Sequence, residues 1–365
     1  MIVATNVSEC PRICKKIDPG KAPCTAFLIA HLPSLAQCLP MIRRTALFLA
    51  LFSTLTLTNC GKKDDLAGGE EGSKKRGTIG ATCMTTSNPF FKVIEENMRD
   101  EAAKHGYDLV YLGCENDVSK QQKQIKNFIV QKVAAIALNP ADSKAIGTSV
   151  KEANTSGIPV FSFDVKVQSP GAEVVSHVGT DNAQGGELAG QAMVDALGEA
   201  GGKVVIIDYN AVESCNERVR GFKKIIGAHN AGRDSGKIDI VAELPGEGDR
   251  AKGFKAAEDA LQTEPGLNGI FAVNDPSGLG AVGALKKAGK LDQVTVVAFD
   301  GMPAGLQAIK DGEIFADPIQ HPDKIGRQTI QAIVAHLSGE AVDPSIDIPA
   351  TLHTKADADK DATLK

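Results

Sequence analysis

The feature that most restricts the fold is an alternation. From Gly77 onward, short uninterrupted apolar runs alternate with amphipathic stretches of helical length, and Gly, Asn or Pro stands at many of the joints. A strand that is apolar at nearly every position must be covered on both faces, which is the condition of a parallel sheet flanked by its own connecting helices. Runs at 78–84, 108–112, 134–138, 159–163, 174–178, 203–207, 238–243, 269–273, 294–299 and 314–317 predict ten strands. Between the first two, Asn88 and Pro89 supply an N-cap and a first-turn proline, Phe91, Ile94, Met98 and Ala102 share one face, and Gly106 ends the helix. Further helices are expected over 118–130, 143–153 and 185–197. Ten strands exceed one small doubly wound sheet, so the chain divides into two α/β lobes with interlaced crossings near Thr180.

Composition narrows the function. The net charge of -5 is spread without a basic stripe, Trp is absent and aromatics make up 4%, so neither a phosphate backbone nor stacked bases are expected as partners. Eight cysteines show no metal or redox spacing, and neither metal nor cofactor is expected. Cys83 and Cys114 fall on or just after neighbouring predicted strands. They are read as two buried thiols, with a disulfide as the alternative.

The apolar segment 46–58 follows Arg43 and Arg44, is too short to span a bilayer comfortably, and reads as a signal peptide. Met41 is therefore taken as the true start, with 1–40 a non-native or unstructured extension and 41–60 the signal. Leu57-Thr58-Asn59-Cys60 resembles a lipobox, which would acylate Cys60 and leave the polar stretch 61–76 as a tether to a membrane; a plain secretory signal is the alternative, since Asn59 departs from the usual small residue.

Ligands of open α/β sheets bind beyond the carboxyl ends of the strands. Here the predicted strands end in Asp164, in Asn274-Asp275 and in Asp300; the first leads to Asn88-Pro89-Phe90-Phe91, and Arg218 and Gln320 are further candidates. Sugar hydroxyls donate and accept while C–H ring faces are apolar. Asp, Arg, Asn and Gln answer the first chemistry and Phe the second. Four or five charge-assisted bonds of about 1.5–3 kcal/mol each could support micromolar binding, about 8 kcal/mol, without any covalent step.

The motifs Asn88-Pro89-Phe90-Phe91, Leu138-Asn139-Pro140-Ala141-Asp142-Ser143, Gly157-Ile158-Pro159-Val160, Val174-Val175-Ser176-His177, Thr180-Asp181-Asn182, Ala272-Val273-Asn274-Asp275 and Phe299-Asp300-Gly301 occur in the order of a known family. From Gly77 to about Thr354 the chain resembles the periplasmic ribose-type sugar-binding proteins of bacterial ABC importers. The resemblance implies the type I periplasmic binding protein fold, two Rossmann-like lobes joined by three hinge strands near Thr180-Asp181, Gln320-His321 and Pro349-Ala350. Lobes of 77–180 plus 321–349 and 181–320 plus 350–354 follow, with 355–365 a charged, solvated tail. It implies that Asn88, Asp164, Arg218, Asn274, Asp300 and Gln320 bind the sugar while Phe90 and Phe91 cover its ring. A monomer in the periplasm would present the closed form to a membrane permease. Two positions depart from the family: its arginine after Asp164 is Val165, for which Lys166 could partly substitute, and its opposite aromatic is Gly248. Ribose leads, ahead of another pentose, a hexose or a polyol.

Competing readings are weaker. Gly278-Leu279-Gly280-Ala281-Val282-Gly283 fits a dinucleotide fingerprint, but Asn274 to Ser277 separate it from the strand, which puts the glycines inside a helix. Asp164 with Asp300 could serve a glycoside-processing enzyme, and the same fold serves sugar sensors. Asp357, Asp359 and Asp361 lack the glycine and closing Glu of a calcium loop.

Overall fold

The computed structural model describes residues 75–365; the extension, the signal segment, Cys60 and all but the last two residues of the tether lie outside the described residues. Strands β1 (Gly77–Cys83), β2 (Tyr107–Gly113), β3 (Ala135–Leu138), β4 (Val160–Phe163) and β5 (His177–Thr180) alternate with helices α1 (Pro89–Lys104), α2 (Val118–Gln131) and α3 (Gly147–Thr155). A second series follows: α4 (Asn182–Leu197), β6 (Gly202–Asp208), α5 (Glu213–Asn230), β7 (Ile238–Pro245), α6 (Arg250–Thr263), β8 (Leu267–Ala272), α7 (Asp275–Ala288), β9 (Thr295–Val297), α8 (Pro303–Lys310) and β10 (Ala316–Ile319). The chain ends with α9 (Pro322–Leu337), β11 (Ser345–Ile348), β12 (Thr351–Thr354) and α10 (Lys355–Ala358).

Two six-stranded sheets result, in the orders β11-β5-β4-β3-β1-β2 and β12-β10-β9-β8-β6-β7. Every pairing is parallel except β10 with β12. β3 and β4 are buried at every residue, as their apolar runs required, and β5 is buried throughout although His177 and Thr180 are polar. Strand order reverses beside β1 in one sheet and beside β6 in the other, and such switch points leave crevices at the carboxyl ends. The chain passes between lobes three times, after β5, after β10 and between β11 and β12.

Helix starts follow their caps. Asn88 accepts from the Phe90 amide at 3.0 Å and Asn274 from the Ser277 amide at 3.1 Å, with Pro89 and Pro276 in the first turns. α3 begins four residues later than the periodicity predicts. The Asp142 carboxylate turns the chain instead, by accepting from the Lys144 and Ala145 amides, which frees Ser143 for contacts of its own.

The glycines of the apparent fingerprint lie inside α7, and a Cβ at Gly280 would stand 2.2 Å from the Arg250 carbonyl oxygen, so that glycine serves the close approach of α6 and α7. Gly186 does the same for α4 and α5, where a Cβ would meet the Arg218 carbonyl oxygen at 2.1 Å. Gly186→Ala is expected to lower stability by about 2–3 kcal/mol, read by urea unfolding; a change under about 0.5 kcal/mol would contradict this packing.

The C-terminal residues are not a solvated tail. Ala358 is fully buried, Leu364 packs against the second lobe, and the Lys365 amide donates to Gln307 Oε1 at 2.9 Å. The aliphatic positions, too sparse to show a period, find a ready apolar surface on α8.

Candidate functional site

A cavity of 480 Å³ opens between the carboxyl ends of the two sheets, within the range of small-molecule sites. All eight residues singled out above line it: Asn88, Phe90, Phe91 and Asp164 from the first lobe, Arg218, Asn274 and Asp300 from the second, and Gln320 at a crossing.

Two of these residues do double duty. The Asn88 and Asn274 side-chain oxygens are occupied as helix caps, so what each can offer a ligand is its amide NH₂. Phe90 and Phe91 are both buried and meet edge to face, ring centroids 5.3 Å apart. Phe90, off the apolar stripe of α1, is covered because it borders the cavity as well as Phe91.

The polar centre is a connected network. Arg218 is almost wholly buried; its Nη1 donates to Asp300 Oδ1 at 2.9 Å and to the Val273 carbonyl at 2.7 Å, its Nε donates to Asn182 Oδ1 at 2.8 Å, and its guanidinium lies 3.8 Å from the Phe299 ring centre. Gln320 Nε2 donates to the same Asp300 oxygen at 2.6 Å, while its Oε1 accepts from Thr180 Oγ1 at 2.7 Å. The network thus ties two of the crossings to the strand-end aspartate. Asp164 and Asp300 both adopt positive φ, 60° and 123°, which a non-glycine residue rarely holds unless the surroundings fix it.

Burial dominates the electrostatics. It pushes the Asp164 carboxyl up to about 7, against the pull of Arg218, with Asp300 adding repulsion. Asp300 is raised for the same first reason, and Arg218 and Gln320 hold it down. Asp275, which also lines the cavity, is raised well above the usual carboxylate range by burial and by Asp317 behind it, itself pushed up to about 7 by burial. The two side chains neighbour one another, so a proton retained by Asp275 lets it donate to Asp317.

Several contributors were not legible in the sequence. Asn139 Nδ2 donates to Asp164 Oδ2 at 2.9 Å and its Oδ1 accepts from the Met84 amide, so it positions the aspartate; only its place in the Leu138-Asn139-Pro140 motif pointed to it. Tyr209 lines the cavity directly after β6, and a Cβ at Gly248 would lie 3.2 Å from its ring, so an aromatic does stand on the wall where Gly248 had suggested a loss. Lys166 does not replace the missing arginine: its Nζ lies 3.1 Å from Glu217 and 3.7 Å from Asp347, because those carboxylates are nearer and partly exposed. Cys83, Cys114 and Cys215 are buried free thiols.

The lobes also touch beside the cavity. The Ser143 amide donates to the Ala211 carbonyl at 3.3 Å, the Glu213 amide donates to Ser143 Oγ at 3.0 Å, and Lys166 bridges to Glu217.

Two parallel-sheet lobes around a cleft of carboxylates, amides and aromatics define a ligand-capturing clamp, and residues 79–341 match the family described as periplasmic binding protein domain; the chain belongs to that family. Among curated relatives, it is 35% identical to the ribose import binding protein RbsB of Escherichia coli (strain K12) over 278 residues, 76% of this chain and 90% of that protein. The Bacillus subtilis (strain 168) protein of the same name is 35% identical over 285 residues, 78% of this chain and 89% of the relative. Among solved structures, an ABC transporter solute binding protein from Bacillus halodurans C-125 with bound myo-inositol superposes with a TM-score of 0.71 at 27% identity, covering 79% of this chain and 98% of that one.

Proposed function

We propose that the protein captures one free monosaccharide between its lobes and delivers it to the permease of a bacterial ABC sugar importer. The observation that carries this reading is the convergence of Asn88 and Asp164 from one lobe with Arg218, Asn274 and Asp300 from the other on a single cavity bordered by Phe90 and Phe91. Donors and acceptors alternate there with aromatic rings, as a polyhydroxylated ring with apolar C–H faces demands. The curated relatives are import binding proteins for ribose, which supports ribose or a similar pentose, hexose or polyol as the ligand. No covalent step is required. The chain acts as a monomer in the cell envelope, anchored through an acylated Cys60, with lobes 77–180 plus 321–349 and 181–320 plus 350–354. Among the described residues no helix is long and apolar enough to cross a membrane.

A thermal-shift screen of the purified protein against pentoses, hexoses, polyols and nucleosides tests the reading, because a ligand that binds only the folded state raises the melting temperature. A rise of several degrees with a monosaccharide is expected; no response to any sugar would remove the proposal. The contact of Lys166 with Glu217 should favour the closed state modestly. Lys166→Ala is expected to weaken sugar binding about two- to fivefold at low ionic strength and less at 0.5 M salt, measured by calorimetric titration.

A further inference from the structure

α2 and α3 lie side by side on the first sheet, held to it by Ile125, Phe128, Ile136 and Val150 of one apolar cluster. Their outward side is basic. Between Val118 and Gly157 the chain carries six lysines, at 120, 123, 126, 132, 144 and 151, against two acids, Asp142 and Glu152. All six are exposed, and among the described residues none of them forms an ion pair. Asp142 is taken up by the Lys144 and Ala145 amides. The lysines stand three or more residues apart on two elements, so no basic run shows in the sequence; the fold gathers them.

Lys123, Lys126 and Val130, spaced by three and four, share one side of α2. Lys126, Val130 and Lys151 line one groove between the helices, on which Glu152 is the single acid. Val130 is 75% exposed, a branched aliphatic side chain left beside cations. Lys132 closes α2, and two residues further the Ala134 amide donates to the Thr78 carbonyl at 2.8 Å. This end of the helix therefore stands beside the start of β1, where the chain arrives from Cys60 through residues 61–74. Fully extended, that stretch reaches at most about 50 Å, so an acyl group on Cys60 would keep the basic end near the headgroups. Anionic phospholipid answers both features: its phosphates attract lysines, and an aliphatic side chain gains burial at the headgroup boundary.

We propose that the α2–α3 face of the first lobe docks on the anionic phospholipid bilayer to which the chain is tethered, through Lys126, Lys132 and Lys151 with Val130. This rests on the reading that Cys60 is acylated. The cavity lies at the opposite, carboxyl ends of the strands, so docking by this end leaves it open to sugar.

The test is sedimentation of the purified protein from Gly61 onward, which lacks the acylated cysteine and keeps both sheets, with vesicles of 30% phosphatidylglycerol in phosphatidylcholine or of phosphatidylcholine alone. At least about tenfold tighter binding to the anionic vesicles is expected, falling at least about fivefold at 0.5 M salt. The triple change Lys126→Glu, Lys132→Glu and Lys151→Glu should abolish it and leave sugar binding by calorimetry intact, which shows that the variant is folded. A triple change of equal charge elsewhere, Lys237→Glu, Lys324→Glu and Lys360→Glu, should retain it. Equal binding to both vesicles overturns the proposal, as does equal loss in both triple variants, which would mark an effect of net charge alone. Undiminished binding by the first triple overturns it too, because the basic residues of 61–76 would then be responsible. Mass spectrometry of protein extracted from membranes reports on Cys60 separately: an unmodified cysteine with lysine-dependent vesicle binding removes the lipid anchor and supports the docking face.

Discussion

Asp300→Ala is expected to lower the unfolding free energy by about 3–5 kcal/mol and to abolish detectable sugar binding. Among the described residues its carboxylate is the one that forms an ion pair with Arg218, in a site where both side chains are almost wholly buried. Truncation leaves a guanidinium that cannot shed its proton, held by the Val273 carbonyl and Asn182 but with its counter-charge gone. It also strips Gln320 Nε2 of its acceptor and so loosens the link to Thr180. Asn88→Ala provides the contrast, since it removes a helix cap and one amide, about 1 kcal/mol of stability, with most of the binding. Urea unfolding with calorimetric titration reads both. An Asp300→Ala protein as stable as the parent would show that Arg218 does not depend on this pair. The double change Asp300→Leu with Arg218→Met should restore much of the stability and none of the binding, because apolar replacement of a buried ion pair is commonly tolerated.

Asp164→Asn should separate stability from function in the other direction. In the folded protein the Asp164 carboxyl keeps its proton up to about pH 7, whereas in the unfolded chain it ionises near its ordinary value of 3.8. Between these limits the folded state binds the extra proton, so wild-type stability falls as pH rises from about 4 to about 7. The asparagine variant lacks that slope. Its stability relative to wild type should match below pH 4, pull ahead through pH 4–7 and reach a plateau about 2–4 kcal/mol higher above pH 7. Asp317, raised in the same sense, contributes to both proteins and cancels in the comparison. Ligand binding should move oppositely. A sugar donating to the carboxylate favours its ionised form, so wild-type affinity should climb as pH passes 7, while the variant, with one acceptor replaced by a donor, should bind at least about a hundredfold more weakly. Parallel stability curves from pH 4 to 8 would sink the assignment of the titration to Asp164.

The legible part of this protein is the part written in apolar runs. All ten predicted strands form, and the polar residues expected at their ends do converge on one cavity. β11 and β12 escaped notice because they are four-residue edge strands, mostly exposed or half-buried, with no apolar run to announce them. β5 lies nearer the crossing than the run 174–178 suggested. There the His177 ring, 2.9 Å from Ser162 Oγ, is buried by a tertiary contact that no hydropathy reading supplies. The same limit applies to the site. Asp164 and Asp300 stand out as carboxylates after apolar strands, whereas the roles of Asn139, Tyr209 and Lys166 depend on neighbours tens of residues away.

The interleaving of the chain between its two sheets fixes an order of events during synthesis. Until residues 345–348 have been made, β5 remains an open edge, and the first sheet cannot be completed although its other strands all precede residue 181. The antiparallel closure of the second sheet by residues 351–354 comes later still. A nascent polypeptide of this design stays short of its final cooperative state until residues 351–354 have left the ribosome, and until then each sheet keeps an unpaired edge open to other strands.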